Sequence, residues 1–416
     1  MKLELGFGKT IQTADLPDRN ILKVLMPSFV PPCPSPEEEI RRALRQPVAS
    51  RPLVSVVAPG EKIAVITSDI TRPMPSKLVL PILLEELDRA GIPRSDVTVV
   101  FALGSHRPHT EAEKEQIVGS EVYHSVVCVD STAEGFVRMG VTASGTPVDI
   151  AAPVARADKR ICLGNIEYHY FAGYSGGAKA IMPGVSSREA IQQNHRHMIE
   201  AGASAGNLEG NPVRSDLEEA LRFCPCDFLL NVVLDEHKQV AFAVAGDAIE
   251  AHREGCRMLD RMYRVPIERK ADLVIVSPGG YPKDINLYQA QKALDNARGA
   301  VREGGMIILS ASCAEGLGEK TFEEWLLTMP TPRSMIERIK TDFQLGGHKA
   351  AAIALAMEQA ELCLVSDLAP DFVSRLHFTP FPNLQAAVDH AFEVFGPDLS
   401  CIVMPFGQTV LPKAKT

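Results

Sequence analysis

Short apolar runs, each closed by a polar or glycine-bearing loop and then a helical pattern, recur along this 416-residue chain. No other feature constrains the fold as much. A run that is apolar at successive positions is buried on both faces, and an intervening helix lets two such strands lie parallel in one sheet. Lys62-Ile63-Ala64-Val65-Ile66-Thr67 reads as such a strand; it opens into Ser68-Asp69-Ile70-Thr71-Arg72-Pro73 and a helix over about 76–90. Val97 to Leu103 is the next strand, ended by Gly104-Ser105-His106-Arg107-Pro108-His109-Thr110, with a polar helix at about 110–118.

A second series follows an amphipathic helix at about 247–263, with strands at 271–277, 305–310, 361–366 and 401–404 and helices at about 286–302 and 347–358. The expected fold is therefore α/β, two α/β domains with mainly parallel sheets. The boundary is placed where Val265-Pro266-Ile267-Glu268-Arg269-Lys270 breaks the helix, giving domains 1–268 and 269–416, with the last ~10 residues able to pack back on the first domain. The proline-rich stretch Pro31-Pro32-Cys33-Pro34-Ser35-Pro36 reads as a stiff connection before a helix.

Composition narrows the function classes. A formal net charge of −9 argues against a nucleic-acid binder, which needs a basic face to neutralise phosphates, but leaves room for a locally positive pocket. No apolar run of ~18 residues is present, so no membrane span is expected. The start, Met1 to Gly8, alternates like a strand and lacks the apolar stretch of a signal peptide, which points to a cytoplasmic location. Nine cysteines are scattered without CxxC spacing and read as buried free thiols rather than a metal or disulfide framework. Histidine is more informative: six of eleven fall between 106 and 197.

Ligands of open α/β sheets bind beyond the carboxyl ends of the strands, and three polar segments stand at such positions. In the first, Arg72 ahead of a helix suits an anion; alternatively Asp69 caps the helix and pairs with Arg72. In the second, His106 follows a buried strand between glycine and proline, a position suited to proton transfer, though an exposed loop histidine without a role has the same pattern. The third runs from Gly164 to Gly184 through Tyr168-His169-Tyr170-Phe171-Ala172-Gly173-Tyr174-Ser175-Gly176-Gly177-Ala178-Lys179. It fails the P-loop pattern at Ala178 and Ala180. Gly173-Tyr174-Ser175-Gly176-Gly177 fits the GxSxG of serine hydrolases, yet Met182-Pro183-Gly184 stops the helix that such an elbow requires. Lys179 among glycines and small apolar residues has little solvent to hold its charge, which lowers its pKa and favours covalent chemistry; an exposed lysine on a glycine-rich turn is the plain alternative.

Downstream, His195 and His197 would face different directions on a helix starting near Ser187, so a two-histidine chelate is disfavoured and one imidazole remains as a single ligand or as part of a solvated face. In the second domain Tyr288-Gln289-Ala290-Gln291-Lys292 places Gln289 and Lys292 three apart on one helix face, able to hold a carboxylate and a neighbouring hydroxyl, or simply forming helix surface. Phe343-Gln344-Leu345-Gly346-Gly347-His348-Lys349 is a further glycine-hinged polar segment.

Together these motifs resemble the nickel-pincer-nucleotide lactate racemase family over essentially the whole chain. The carrying residues are Asp69-Ile70-Thr71-Arg72-Pro73, Gly104-Ser105-His106-Arg107-Pro108, His169 through Lys179 to Gly184, Asn194-His195, and Tyr288 to Lys292. The resemblance implies an isomerase that inverts C2 of a 2-hydroxy acid by proton-coupled hydride transfer, with its active-site cleft between the two domains. The implied cofactor is the nickel-pincer nucleotide (pyridinium-3,5-bisthiocarboxylic acid mononucleotide nickel), tethered to Lys179, with His195 as the protein ligand of Ni(II). By the same resemblance His106 and His169 are the acid/base pair, and Asp69, Thr71, Gly173, Ser175, Gly176 and Gly177 lie at the cofactor. Arg72, Tyr288, Gln289 and Lys292 meet the substrate. Proteins that make and load the cofactor are implied partners; the sequence sets no oligomeric state.

The lactate-acting pattern carries a tryptophan near 342–349, whereas the single tryptophan here is Trp325, well upstream. His348 and Lys349 stand in that neighbourhood and would receive a second carboxylate or a hydroxylated tail, as in malate or a sugar acid. Two other readings compete: a serine hydrolase using Ser175, and a non-catalytic carrier of the pincer nucleotide.

Overall fold

The computed structural model describes residues 1–28, 30 and 33–414. By internal contacts it divides into two units, Val30–Arg261 and Met1–Phe29 together with Met262–Thr416.

The first unit is built on a six-stranded sheet in the order Val240–Gly246, Phe228–Leu234, Lys159–Ile166, Ile63–Ser68, Val97–Ala102, Val127–Asp130. All neighbours are parallel except the outer pair Phe228–Leu234 and Val240–Gly246. The central strand Ile63–Ser68 is buried along its apolar length because strands flank it on both sides and helices cover its faces. Helix Ser76–Arg89 supplies Val79, Leu80, Leu83, Leu84 and Leu87 to that core. Helix Glu111–Val118 starts at a capping box in which Thr110 and Glu113 exchange side-chain and main-chain hydrogen bonds.

The second unit carries an all-parallel six-stranded sheet in the order Thr379–Phe381, Ala360–Val365, Val301–Ser310, Ala271–Val276, Cys401–Met404, Ile21–Val24. Its core joins Leu273, Ile275, Met306 and Ile308 to Leu3, Leu5 and Phe7 of the N-terminal hairpin.

The α/β class and the parallel sheets agree with expectation, but the division at 268/269 does not describe this arrangement. Ile21–Val24 pairs with Cys401–Met404, and the hairpin Lys2–Phe7/Thr10–Asp15 packs into the same core, so the N-terminal segment belongs with the C-terminal half. The C-terminal strand Leu411–Ala414 does pair with Arg264–Ile267, residues that the 268/269 division gave to the first domain, but both strands lie in the same unit here. That pairing also makes a short strand of the segment read as a helix breaker. The helix expected over 286–302 is Leu287–Ala297; Arg298 stands at its C-cap and a strand begins at Val301. Of the proline-rich stretch, Pro31 and Pro32 lie outside the described residues; Ser35 caps the helix Pro36–Arg45. Among the described residues no helix is long and apolar enough to cross a membrane.

Candidate active site

In the first unit the anticipated segments gather at strand ends. Asp69 follows Ile63–Ser68 and His106 follows Val97–Ala102, the adjacent strand. His106 Nδ1 lies 2.5 Å from Asp69 Oδ2, and both Asp69 oxygens accept the Thr71 hydroxyl at 2.9 and 3.1 Å. Asp69 therefore does not cap the following helix, whose N-cap position is Pro75. Burial works to raise the Asp69 carboxyl, but His106, the Thr71 hydroxyl and the Arg72 charge outweigh it and hold the group below its ordinary value. A carboxylate at that distance fixes the orientation of the His106 ring. Arg72 itself is exposed, leaving its guanidinium open to an anion.

The glycine-rich segment folds as a tight two-residue pairing, Tyr168–His169 against Gly173–Tyr174. Asp260 anchors it by accepting both tyrosine hydroxyls, Tyr168 at 2.9 Å and Tyr174 at 2.8 Å. The turn that follows needs its glycines: at Gly177 (φ +61°) an added Cβ would come within 2.7 Å of the His252 ring. At Gly173 (φ +79°) it would meet the Asn207 carbonyl oxygen at 2.1 Å. Asn231 accepts the Gly177 N–H at 2.8 Å, and His252 Nε2 donates to the Ser175 carbonyl at 2.8 Å. Gly173, Gly176 and Gly177 thus shape the turn that presents Lys179.

Phe171 organises the catalytic candidates. Its buried ring has Lys179 Nζ 5.8 Å above its centroid, and His169 and His195 meet it edge-on at 4.5 and 4.9 Å. Three residues read from two sequence motifs thus share one aromatic neighbour. Beneath the segment, Arg214 is buried; it donates to the Ala172 carbonyl at 3.1 Å and to the Tyr174 carbonyl, and its buried Nη1 meets no hydrogen-bond partner among the described residues.

Burial lowers the Lys179 pKa well below the ordinary lysine value, and the Arg214 and Arg72 charges push the same way. Among the described residues no hydrogen-bond or ion-pair partner meets its Nζ. His169 is likewise held well below the ordinary histidine value by burial, then by the charges of Lys179, Arg72, His195 and Arg214. Its Nδ1 accepts the Ala172 N–H at 3.3 Å, which suits the neutral ring. The buried Arg214 guanidinium is itself lowered to about 10 by burial.

His195 ends the helix Arg188–His195, which Ser187 caps and the buried Asn194 ties to Asp216 at 2.8 Å. His197 turns instead to Glu200, 2.5 Å away, so the two histidines do not form a chelate. Among the described residues no group of three or more His, Cys, Asp or Glu side chains could hold a metal ion by itself. Ser175 is not arranged as a nucleophile. Its hydroxyl donates to the Asn165 carbonyl at 2.7 Å and accepts the Glu167 N–H at 2.9 Å, and the nearby His252 meets its carbonyl instead.

The second unit holds the other group. Tyr288, Gln289 and Lys292 lie on the first turns of helix Leu287–Ala297, where Asn286 caps by accepting the Gln289 N–H at 3.0 Å. His348 and Lys349 are buried rather than open to a substrate tail. His348 Nδ1 accepts the Gly346 N–H at 3.0 Å, and Lys349 Nζ donates to the Tyr288 carbonyl at 2.6 Å while lying 3.9 Å above its ring. Trp325, distant in sequence, packs on this segment: a Cβ at Gly347 would meet its ring at 2.6 Å. The expected vacancy of tryptophan in this neighbourhood is therefore filled in space.

Sequence reading passed over Phe171, Arg214, Asn231 and His252. Phe171 lay inside a quoted motif, but nothing in its type separates a hub from ordinary core; the other three come from later elements with no local pattern.

The fold and these side chains define an α/β protein that gathers histidines and basic side chains near the ends of parallel strands. Residues 7–206 match the family model of the lactate racemase N-terminal domain, and residues 267–411 that of the lactate racemase C-terminal domain. The chain belongs to the lactate racemase family. It is 32% identical to the lactate racemase of Thermoanaerobacterium thermosaccharolyticum and 31% identical to that of Lactiplantibacillus plantarum, each over 99% of both chains. The structure of the T. thermosaccharolyticum lactate racemase apoprotein superposes with a TM-score of 0.89, covering 99% of this chain and all of that one. A protein from Thermotoga maritima, 19% identical, has a TM-score of 0.64 over 93% of this chain and 100% of its own, and shares the fold.

Proposed function

We propose that the chain is a cytoplasmic racemase of lactate or a similarly small 2-hydroxy acid. The observation that carries this reading is the gathering of His169, His195 and Lys179 around Phe171.

The pocket suits the pincer nucleotide on its own terms. Burial and neighbouring cations lower the Lys179 pKa and make its amine easier to deprotonate, which favours the nucleophile that a covalent tether requires. A lone histidine ligand fits a nickel ion whose other donors come with the cofactor. Lys179 would hold the nucleotide and His195 its nickel. When bound, the group supplies a reversible acceptor for the hydride on the substrate's C2.

The chain's residues do the rest. Arg72 pairs with the substrate carboxylate. His106, oriented by Asp69, and His169, kept neutral, take and return the hydroxyl proton. Two bases are needed because the two enantiomers present that proton differently. Proteins that build and load the cofactor are the implied partners.

Intact mass and metal analysis of protein produced with the cofactor-making proteins tests the assignment. One adduct, lost in Lys179→Ala, and one nickel, lost in His195→Ala, are expected. An unmodified chain without nickel would overturn it.

A further inference from the structure

The loop after strand Val97–Ala102 carries two histidines, and only His106 enters the reaction above. The second, His109, is buried with Asp130, their side chains 1% and 6% exposed. Asp130 ends the strand Val127–Asp130, which neighbours Val97–Ala102, which neighbours Ile63–Ser68. Three consecutive strand ends therefore contribute one group each: the Asp130 carboxylate, the His109 ring and the Ile70 main-chain N–H.

Asp130 grips the loop twice. Its Oδ2 accepts the His109 N–H at 3.0 Å, and its Oδ1 lies 2.7 Å from His109 Nδ1. On the far side of the ring, Nε2 lies 3.1 Å from the Ile70 nitrogen. A main-chain N–H can only donate, so Nε2 must present its lone pair and Nδ1 must carry the proton toward Asp130. The partners alone thus assign a neutral ring and its tautomer.

The Ile70 N–H belongs to the peptide unit that leaves Asp69, the carboxylate that holds His106. The two histidines of one loop thus grip consecutive residues of the other: His106 meets the Asp69 side chain and His109 the next amide.

We propose that His109 and Asp130 form a positioning pair that sets the Asp69–His106 geometry through the Ile70 peptide. The proposal rests on the function reading above for its kinetic consequence, but not for the loop coupling itself. His109 also packs edge-on against Phe101 with ring centroids 5.2 Å apart, so bulk and hydrogen bonding must be separated. His109→Phe keeps the ring and loses the acceptor; His109→Gln keeps an acceptor near the Nε2 position and loses the ring.

Hydrogen–deuterium exchange of the unloaded, full-length chain reads the coupling directly. In His109→Phe the Ile70 amide is expected to exchange ~10-fold faster or more, while His109→Gln stays within about threefold of wild type. In the cofactor-loaded enzyme, His109→Phe is expected to lower kcat ~10–100-fold with KM little changed, and His109→Gln to recover most of it. Wild-type exchange and kcat in His109→Phe would overturn the proposal. Equal losses in His109→Phe, His109→Gln and His109→Ala would also overturn it. A wild type without racemase activity would defeat the function reading instead, and the exchange result would still decide the loop coupling.

Discussion

Lys179 Nζ stands 5.8 Å above the centroid of the Phe171 ring, which also packs T-shaped against His195. One apolar side chain thereby sets the spacing between the residue proposed to tether the cofactor and the residue proposed to hold its metal. Phe171→Leu keeps an apolar side chain but loses the ring face and edge. Slower formation of the Lys179 adduct and reduced nickel per chain are expected, with a stability loss of about 1–2 kcal/mol. Intact mass, metal content and thermal unfolding report the three effects. Full modification and full nickel in the variant would remove Phe171 from this role.

Asp69→Asn retains shape and a hydrogen-bonding oxygen but removes the charge facing His106. A drop of ~10²-fold in kcat is expected, in line with the size of general acid–base effects. The KM for substrate should rise little, because Arg72 keeps its exposed guanidinium. Steady-state kinetics in both stereochemical directions check this.

Ser175→Ala separates a turn clamp from a nucleophile. The hydroxyl bridges the Asn165 carbonyl and the Glu167 N–H, so its loss should cost about 1–2 kcal/mol of stability. Racemisation should fall modestly rather than vanish. No ester hydrolysis is expected from either protein; hydrolysis abolished by the substitution would restore the serine-hydrolase reading.

The buried His348 ring makes stability sensitive to acid. Burial, then the Lys349 charge, lower its pKa to about 3 from an ordinary 6.5. Between those values the unfolded chain binds a proton that the folded chain refuses, so stability falls as pH falls below about 6.5, by roughly 1.4 kcal/mol per pH unit. His348→Asn preserves an acceptor for the Gly346 N–H and does not titrate. The pH dependence of its urea midpoint between pH 7 and pH 4.5 should be shallower than that of wild type. Identical slopes would show that His348 protonates without opposition.

Local pattern was enough to place the strands Ile63–Ser68 and Val97–Ala102 and the polar loops at their ends, because a continuous apolar run and the polar residues that close it are written in neighbouring residues. The pairing of Ile21–Val24 with Cys401–Met404 was not legible, since nothing near either strand names a partner so far along the chain. Trp325 illustrates the same gap at the scale of a side chain: distant from Gly347 in sequence, it packs directly against it. His109 lay in view beside His106, but its value depends on Asp130 and Ile70, which tertiary pairing alone brings to it.

The central claim is inversion at C2, and the direct measurement follows enantiopure substrate with protein whose Lys179 adduct and nickel have been verified by mass and metal analysis. D-lactate and L-lactate, supplied separately and resolved by chiral chromatography, should converge on the same 1:1 mixture, and Lys179→Ala should leave both unchanged. If verified, loaded protein leaves lactate and other 2-hydroxy acids, malate and sugar acids included, at their starting configuration, the account is contradicted.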